Sequence, residues 1–339
     1  MNRWLVVAPL SVALGWLLSA AHVPAAWILG AIIVSGSVAL VSGRELRLPK
    51  RLFSLARGTI GVLAAVPLIG IPGRELATFL IPGLAAAAFT IGLAFVGGLV
   101  LANHGVSRET GVLSLLAGGA SVMPAIAEEV GADVRYVALS QYLRLLTVSI
   151  TLPLVASLMA PGSAEASPAA AAEAVASPWM WLLVPALVVT GIPLGKVLHL
   201  PNASVFGPML LTVLVGTLAD FSITPPMPLT VASLIAIGWL AGGGLDIDAL
   251  KRFSRMLPAT MLYIVGLMAA CAGVGWVMSK WLGISLYEGY LATTPGALET
   301  VLALSAEGGA GPAVIALQLI RLICVLVFAA YLPRILRAL

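Results

Sequence analysis

The sequence predicts an all-α polytopic membrane protein, and its composition and the length of its apolar segments carry that prediction. Hydrophobic residues make up 60% of the 339-residue chain and charged residues only 9%, too few charges to cover a water-soluble surface. The apolar segments run for about 17 to 27 residues, which suits helices that span a bilayer, and they lack the alternating pattern of barrel strands. We therefore expect a helical bundle in lipid.

The charges and cysteines exclude several classes of protein. The formal net charge is +4, but the Lys and Arg residues stand in short connections between apolar segments, where membrane topology explains them. We therefore expect no nucleic-acid partner. Cys271 and Cys324 both lie in apolar stretches without metal-ligand spacing, so we expect neither a metal site nor a disulfide framework.

The chain contains an internal duplication. Sliding it against itself by 177 positions aligns HVPAAWILG at 22–30 with HLPNASVFG at 199–207, and the same offset aligns Arg144 with Arg321. Chance matches would scatter over many offsets, so one frame that holds across so much of the chain predicts two copies of one unit.

The two copies are predicted to be membrane repeats joined by a linker. We assign residues 1–160 to the first repeat, 161–178 to the linker and 179–339 to the second repeat, because the linker is rich in Ala, Ser and Pro. The predicted apolar segments are 4–20, 26–42, 52–70, 76–101, 111–127 and 134–160, followed by 180–197, 203–219, 228–245, 257–279, 289–304 and 312–335.

Segments 111–127 and 289–304 hold corresponding positions in the two repeats, and each has Gly and Pro in its middle. Irregular backbone survives at membrane depth only when it is buried in protein or lines a wet cavity, so we predict that both segments are broken and re-entrant. Each repeat then keeps about five spanning helices, the repeats are inverted, and nearly all flanking Lys and Arg residues lie in the cytoplasm. This topology predicts a multi-pass membrane protein with both termini cytoplasmic.

Several stretches together resemble a known family, namely LGAIIVSG, AGGAS with AEEVGADVRYVALSQYLRLL, and TTPGALETVLALSAEGG with VIALQLIRLI. They resemble the bacterial AbrB-type membrane proteins, which share this duplication and differ from the small DNA-binding regulator of the same name. The resemblance covers nearly the whole chain, and it implies a location in the bacterial inner membrane and a relationship to inverted-repeat carriers. Members of the family have been labelled ammonia monooxygenases or regulators of gene expression, and the resemblance implies no substrate.

Two intramembrane arginines are the leading site candidates. Arg144 lies near the middle of its apolar segment, Arg321 holds the equivalent position, and each follows a glutamine, Gln141 or Gln318, on the same helix face. A guanidinium at that depth is costly and faces the protein interior or a cavity. One interpretation is a site for an anionic substrate, because Arg binds carboxylate or phosphate with two donors. The other is that these side chains brace the broken segments by donating to freed carbonyls.

Glu299 follows the second break and has no acidic counterpart, since position 122 is Val. A carboxylate beside a broken helix would bind a coupling H⁺ or Na⁺; alternatively, Glu299 neutralises Arg321. Arg57 lies close to the start of its segment, and we expect it to extend toward the membrane surface. The remaining predicted substrate-binding residues are Gly118, Gly119, Ser121, Thr293, Thr294, Pro295 and Gly296.

The function predicted from these features is ion-coupled secondary transport of a small anionic organic solute by alternating access. The alternative is a membrane-embedded regulator or sensor that affects gene expression. An enzyme is disfavoured, because the three histidines are far apart and no nucleophile motif, phosphate loop or HExxH motif occurs. We expect no cofactor beyond the coupling ion, and the partners we expect are lipid, the solute and a second copy of the chain in a homodimer.

Overall fold

The computed structural model describes residues 3–338 apart from 22, 24, 47, 104, 118–121, 160–177, 201, 220, 222, 245 and 246. Within this part of the chain the regular structure is helical. In chain order the α-helices are α1 Trp4–Ala20, α2 Ala26–Ser42, α3 Lys50–Ala65, α4 Gly73–Thr78, α5 Leu80–Ala102, α6 Arg108–Leu115, α7 Val122–Glu129, α8 Val134–Met159, α9 Met180–Val197, α10 Ala203–Ala219, α11 Met227–Gly243, α12 Ile247–Arg252, α13 Leu257–Leu282, α14 Leu286–Thr293, α15 Leu298–Glu307 and α16 Pro312–Ala338.

Several of these helices have the length and composition of membrane spans. Among the described residues, five helical stretches are long and apolar enough to cross a bilayer: Lys50–Leu68, Gly73–Ala102, Met180–Val197, Leu257–Leu282 and Pro312–Ala329. The helices α1, α2, α10 and α11 are also apolar but somewhat shorter. The prediction of an all-α polytopic membrane protein is therefore confirmed.

The predicted segment 76–101 begins differently from expectation, because the structure divides it. Helix α4 ends at Thr78 and α5 begins at Leu80. Pro82 lies in the first turn of α5 and has no N–H to donate to the carbonyl of Thr78, which favours a break between the two helices. Helices α4 and α5 together still form the stretch Gly73–Ala102, which is long and apolar enough to cross a bilayer.

Helices α2 and α11 pack closely through small residues. A Cβ on Gly238 would stand 2.5 Å from the carbonyl oxygen of Ile28, and one on Gly242 would stand 2.4 Å from that of Ile32. The contacts advance toward the C-terminus on both helices, so α2 and α11 run in the same direction. Where both end, the Leu46 N–H donates to the Gly243 carbonyl at 2.9 Å.

Helices α3 and α10 form a second close pair. A Cβ on Gly61 would stand 2.3 Å from the carbonyl oxygen of Val205. Beyond the end of α3, the Gly70 N–H donates to Thr217 Oγ1 at 3.1 Å. These two helices therefore also run in the same direction, and α3 packs on α11 as well. Backbone approaches of this kind require glycine, as is common where membrane helices pack.

Candidate functional site

The first broken segment forms a hairpin, which we call hairpin 1 (α6 and α7, within the described residues 108–117 and 122–129). Thr110 Oγ1, at its start, accepts a hydrogen bond of 2.9 Å from the N–H of Asp133, just after its end. Ser107 caps α6 by accepting from the Thr110 N–H. The chain therefore returns to the end where it entered, and α8 then runs alongside α6.

The second broken segment forms hairpin 2 (residues 286–307, α14 and α15). Glu288, in the first turn of α14, accepts a hydrogen bond of 2.7 Å from the N–H of Gly311, which precedes α16. Tyr287 Oη donates to the carbonyl of Leu304 at 2.7 Å, which joins the two arms. This segment also returns to its starting end.

At the tip of hairpin 1, the last carbonyls of α6 are held by side chains from α8. Gln141 Nε2 donates to the carbonyls of Leu113 at 2.7 Å and Leu116 at 2.9 Å. Arg144 Nη1 donates to the same Leu116 carbonyl at 3.0 Å. The end of a helix leaves carbonyls without intrahelical partners, and these two side chains satisfy them.

The tip of hairpin 2 repeats this arrangement. Gln318 Nε2 donates to the carbonyls of Leu291 at 2.6 Å and Thr294 at 3.3 Å. Arg321 Nη1 donates to the carbonyl of Thr294 and, at 3.5 Å, to that of Thr293. The bracing role considered for both Gln–Arg pairs is thus present in the geometry.

Bracing uses only part of each guanidinium. Arg144 and Arg321 are 2% and 6% exposed, and the Nε of each is buried without a hydrogen-bond partner. Neither forms an ion pair with a described carboxylate. The described part of the site therefore holds two buried cations whose charge is not compensated.

A small cavity lies between the two hairpin tips. Its wall includes Leu116 and Ala117 from hairpin 1, Pro295 from hairpin 2 and Arg321 from α16, and its volume is about 10 Å³. That is space for roughly one water molecule, so the described residues pack closely around it. The two broken segments therefore meet at one point, with a guanidinium facing the space between them.

The other predicted site residues at hairpin 2 serve its backbone. Thr293 Oγ1 donates to the Cys271 carbonyl of α13 at 2.8 Å, and a Cβ on Gly296 would stand 2.9 Å from Val148 of α8. Pro295 lines the cavity and Thr294 supplies its carbonyl, as described above. The predicted residues Gly118, Gly119 and Ser121 lie outside the described residues.

Glu299 has a different partner from the one considered in the sequence. Its Oε1 lies 2.6 Å from Arg57 Nη2 and accepts a hydrogen bond of 3.2 Å from Asn202 Nδ2. Arg57 also donates to Asn202 Oδ1. The carboxylate thus neutralises Arg57 rather than Arg321, and Arg57 pairs within the protein instead of extending to the surface.

Sequence reasoning missed Asn202 and the pairing of Arg57. The signal was available in the duplication: Asn202 aligns with Ala25 and Arg57 with Leu234. Both are positions where one repeat is polar and the other apolar, as is also true of Glu299.

Comparison with known proteins bears on this architecture. A family model described as "Transition state regulatory protein AbrB" matches residues 27–337. The chain belongs to the AbrB family. The resemblance seen in the sequence is thereby confirmed.

Two curated relatives match along nearly their full length. The chain is 33% identical over 342 residues to a protein of Escherichia coli (strain K12) named "Putative regulator AbrB", a match that covers 98% of this chain and 96% of that protein. It is 27% identical over 350 residues to "Uncharacterized protein YhjN" of Bacillus subtilis (strain 168), covering 96% and 90%.

Proposed function

We propose that this chain is an ion-coupled secondary transporter of a small organic anion, built from two inverted repeats whose hairpin tips meet at the transport site. The observation that carries the proposal is the pair of buried, uncompensated guanidinium groups of Arg144 and Arg321 at the closed tips. A buried cation is costly unless an opposite charge accompanies it. A carboxylate or phosphate between the tips would supply that charge.

The helix boundaries support the duplication. Helix α2 spans Ala26–Ser42 and α10 spans Ala203–Ala219, which differ by the same 177 positions as the sequence match. Contacts recur in the same frame, because Gly61 meets Val205 and Gly238 meets Ile28.

The helix directions support inversion. Leu46 bonds to the end of α11, and the four residues from there to the start of α3 reach at most roughly 14 Å. That is less than the roughly 25 Å length of α2, so α3 begins where α2 ends and packs back along α11. Since α10 runs with α3, it runs opposite to α2, its counterpart in the other repeat.

The hairpins support a site shared by the repeats. Corresponding broken segments in two halves of a membrane protein are the best pointer to a transporter's binding site. Here both return to their starting ends, and their tips meet at a cavity that is too small for an organic solute. Opening of the tips would accompany binding, as alternating access requires.

A test is uptake by purified protein in proteoliposomes. We would measure radiolabelled succinate, citrate, lactate, glutamate and inorganic phosphate under imposed pH and Na⁺ gradients. We expect at least one to be taken up, and Arg144→Gln or Arg321→Gln to reduce its uptake at least tenfold, the cost of about 1.4 kcal/mol of lost anion binding. Arg135→Gln is the matched control, because Arg135 is an exposed arginine on the same helix as Arg144.

The alternative of a membrane regulator draws on the printed name of the Escherichia coli relative. It makes a different prediction for the arginine variants. If uptake is absent for every anion, or is unchanged in Arg144→Gln and Arg321→Gln proteins that remain folded in detergent, the transport proposal is wrong and regulation becomes the better candidate.

A further inference from the structure

Arg57, Asn202 and Glu299 form a polar triad that joins three helices. Arg57 lies on α3, Asn202 directly precedes α10, and Glu299 occupies the first turn of α15 in hairpin 2. The charge contact of 2.6 Å and the amide contact of 3.2 Å both end on Glu299 Oε1. Hairpin 2 is thus tied by one carboxylate to the α3–α10 pair.

The other repeat has no such tie. The counterparts of the three residues in the frame of the duplication are Leu234, Ala25 and Val122, all apolar. Leu234 and Ala25 are buried. Because the same helical unit folds with apolar residues at these positions, the fold itself does not require the triad. Its presence on one hairpin only indicates a task in which the two hairpins differ.

We propose that the triad is a proton-released latch: Glu299 is the binding site of the coupling proton, and its protonation frees hairpin 2 from α3 and α10. The coupling role rests on the transport function proposed above, whereas the latch itself does not. A proton from water forms an O–H bond on the Glu299 carboxylate, Arg57 keeps its own proton, and the ion pair is lost.

The geometry favours a proton over a metal cation. The carboxylate already faces a guanidinium and an amide N–H, and both would repel a cation such as Na⁺. A proton instead removes the negative charge where it stands. Arg57, whose side chain is 21% exposed, is then free to turn toward the membrane surface along its long aliphatic stem.

Of the charged residues on the helices around Glu299, Arg57 is the one that forms an ion pair with its carboxylate. On α14, Glu288 is occupied by the Ser285 cap and the Gly311 N–H. On α16, Arg321 is bound to the hairpin tip. Helices α10 and α11 carry no charged side chains, and the remaining cations of α3, Lys50 and Arg51, are exposed.

The latch can be tested without knowing the substrate. Thr300 on α15 is 1% exposed and its hydroxyl has no hydrogen-bond partner, so Thr300→Cys in a Cys271→Ala, Cys324→Ala background reports opening. We would measure its labelling by a hydrophilic maleimide in proteoliposomes across pH, relative to an exposed reference cysteine, Asn103→Cys. We expect the corrected rate to rise about tenfold per pH unit of acidification, the slope of a single titrating group.

Two variants separate the latch from general loosening. Glu299→Gln should label rapidly at every pH. The triple variant Arg57→Leu, Asn202→Ala, Glu299→Val, which copies the apolar residues of the other repeat, should label slowly at every pH. Labelling that is independent of pH in the parent protein, or that keeps its pH dependence in Glu299→Gln, overturns the proposal. Glu299→Gln decides the matter even if the triple variant does not fold.

The coupling role has its own readout. With an anion identified in the uptake screen, Glu299→Gln should lose accumulation driven by a pH gradient but retain exchange of labelled for unlabelled anion. Retained gradient-driven accumulation would show that Glu299 does not couple. If no anion is transported but labelling follows pH as expected, the transport function fails and the latch remains.

Discussion

The polar side chains of the proposed site brace the two hairpins. Gln141, Arg144, Gln318 and Arg321 all donate to carbonyls at the ends of half-helices, in a setting where an unsatisfied carbonyl has no water to bind. The glutamines use their amide N–H groups for that role, and the Oε1 atom that each leaves buried without a partner is an acceptor, which does not suit an anion. Each arginine leaves its Nε, a donor, buried without a partner, and a donor suits an anion.

The glutamines should therefore affect stability more than transport. Gln318→Leu removes the donor to the Leu291 carbonyl and should lower the free energy of unfolding by about 1–2 kcal/mol, the cost of an unsatisfied buried group. Titration with SDS in mixed micelles measures it. Thr190→Val is the control, since Thr190 is exposed and its hydroxyl bonds to a carbonyl of its own helix. An unchanged midpoint for Gln318→Leu would contradict the bracing role.

The sequence predicted the two buried arginines of the site but not the ion pair between Arg57 and Glu299. Arg144 and Arg321 were found because a charge in the middle of an apolar segment is conspicuous and because the duplication repeats it. The pairing of Arg57 with Glu299 was not found, because the two are far apart in sequence and meet only when α3 packs against hairpin 2. A charged residue in an apolar segment indicates that it has a polar partner, whereas tertiary packing decides which residue that partner is.

At the scale of helices, glycine contacts determine how the hairpins pack. A Cβ on Gly275 of α13 would stand 2.7 Å from the Gly289 carbonyl oxygen in hairpin 2, and one on Gly98 of α5 would stand 2.4 Å from Val112 Cα in hairpin 1. Each hairpin therefore packs with its first arm against the preceding long helix. Where a Cβ cannot fit, the helices must separate.

Gly275→Ala should destabilise hairpin 2 by about 1–3 kcal/mol through this overpacking. Gly273→Ala is the matched control on the same helix, because a Cβ there meets nothing within 4 Å and alanine is the better helix former by about 1 kcal/mol. Thermal unfolding in detergent should show a lower midpoint for Gly275→Ala alone. Equal midpoints for the two variants would mean that hairpin 2 does not pack on α13 as described.

Helix ends were predictable where the chain itself encodes them. The expected segments 26–42 and 203–219 coincide with α2 and α10, since loops rich in Gly and Pro flank both. The interruptions were also signalled by Gly and Pro. The re-entrant course of both segments was predicted too, but the hydrogen bonds that close each hairpin were not, such as that between Glu288 and the Gly311 N–H.

At the scale of the whole molecule, two arguments of different kind support the proposed inverted repeats. One is the distribution of Lys and Arg along the sequence; the other is the packing of α2 on α11 and of α3 on α10, which gives α2 and α10 opposite directions. The two hairpins would then enter from opposite sides of the bilayer and meet in the middle, with the proposed latch on hairpin 2.

Inversion predicts that the connection between the repeats and the loop between α5 and α6 lie on opposite sides of the membrane. In a cysteine-free background, Ser167→Cys in the linker should react with an impermeant maleimide in intact spheroplasts. Ser254→Cys, which is exposed between α12 and α13, should react only after permeabilisation. So should Asn103→Cys in the loop between α5 and α6, because the inverted topology places both positions in the cytoplasm. Positions 167 and 103 both labelling from the outside, or both only after permeabilisation, would require parallel repeats. Segment 111–127 would then cross the membrane, and a site reached alternately from each face could not be built from two opposed hairpin tips.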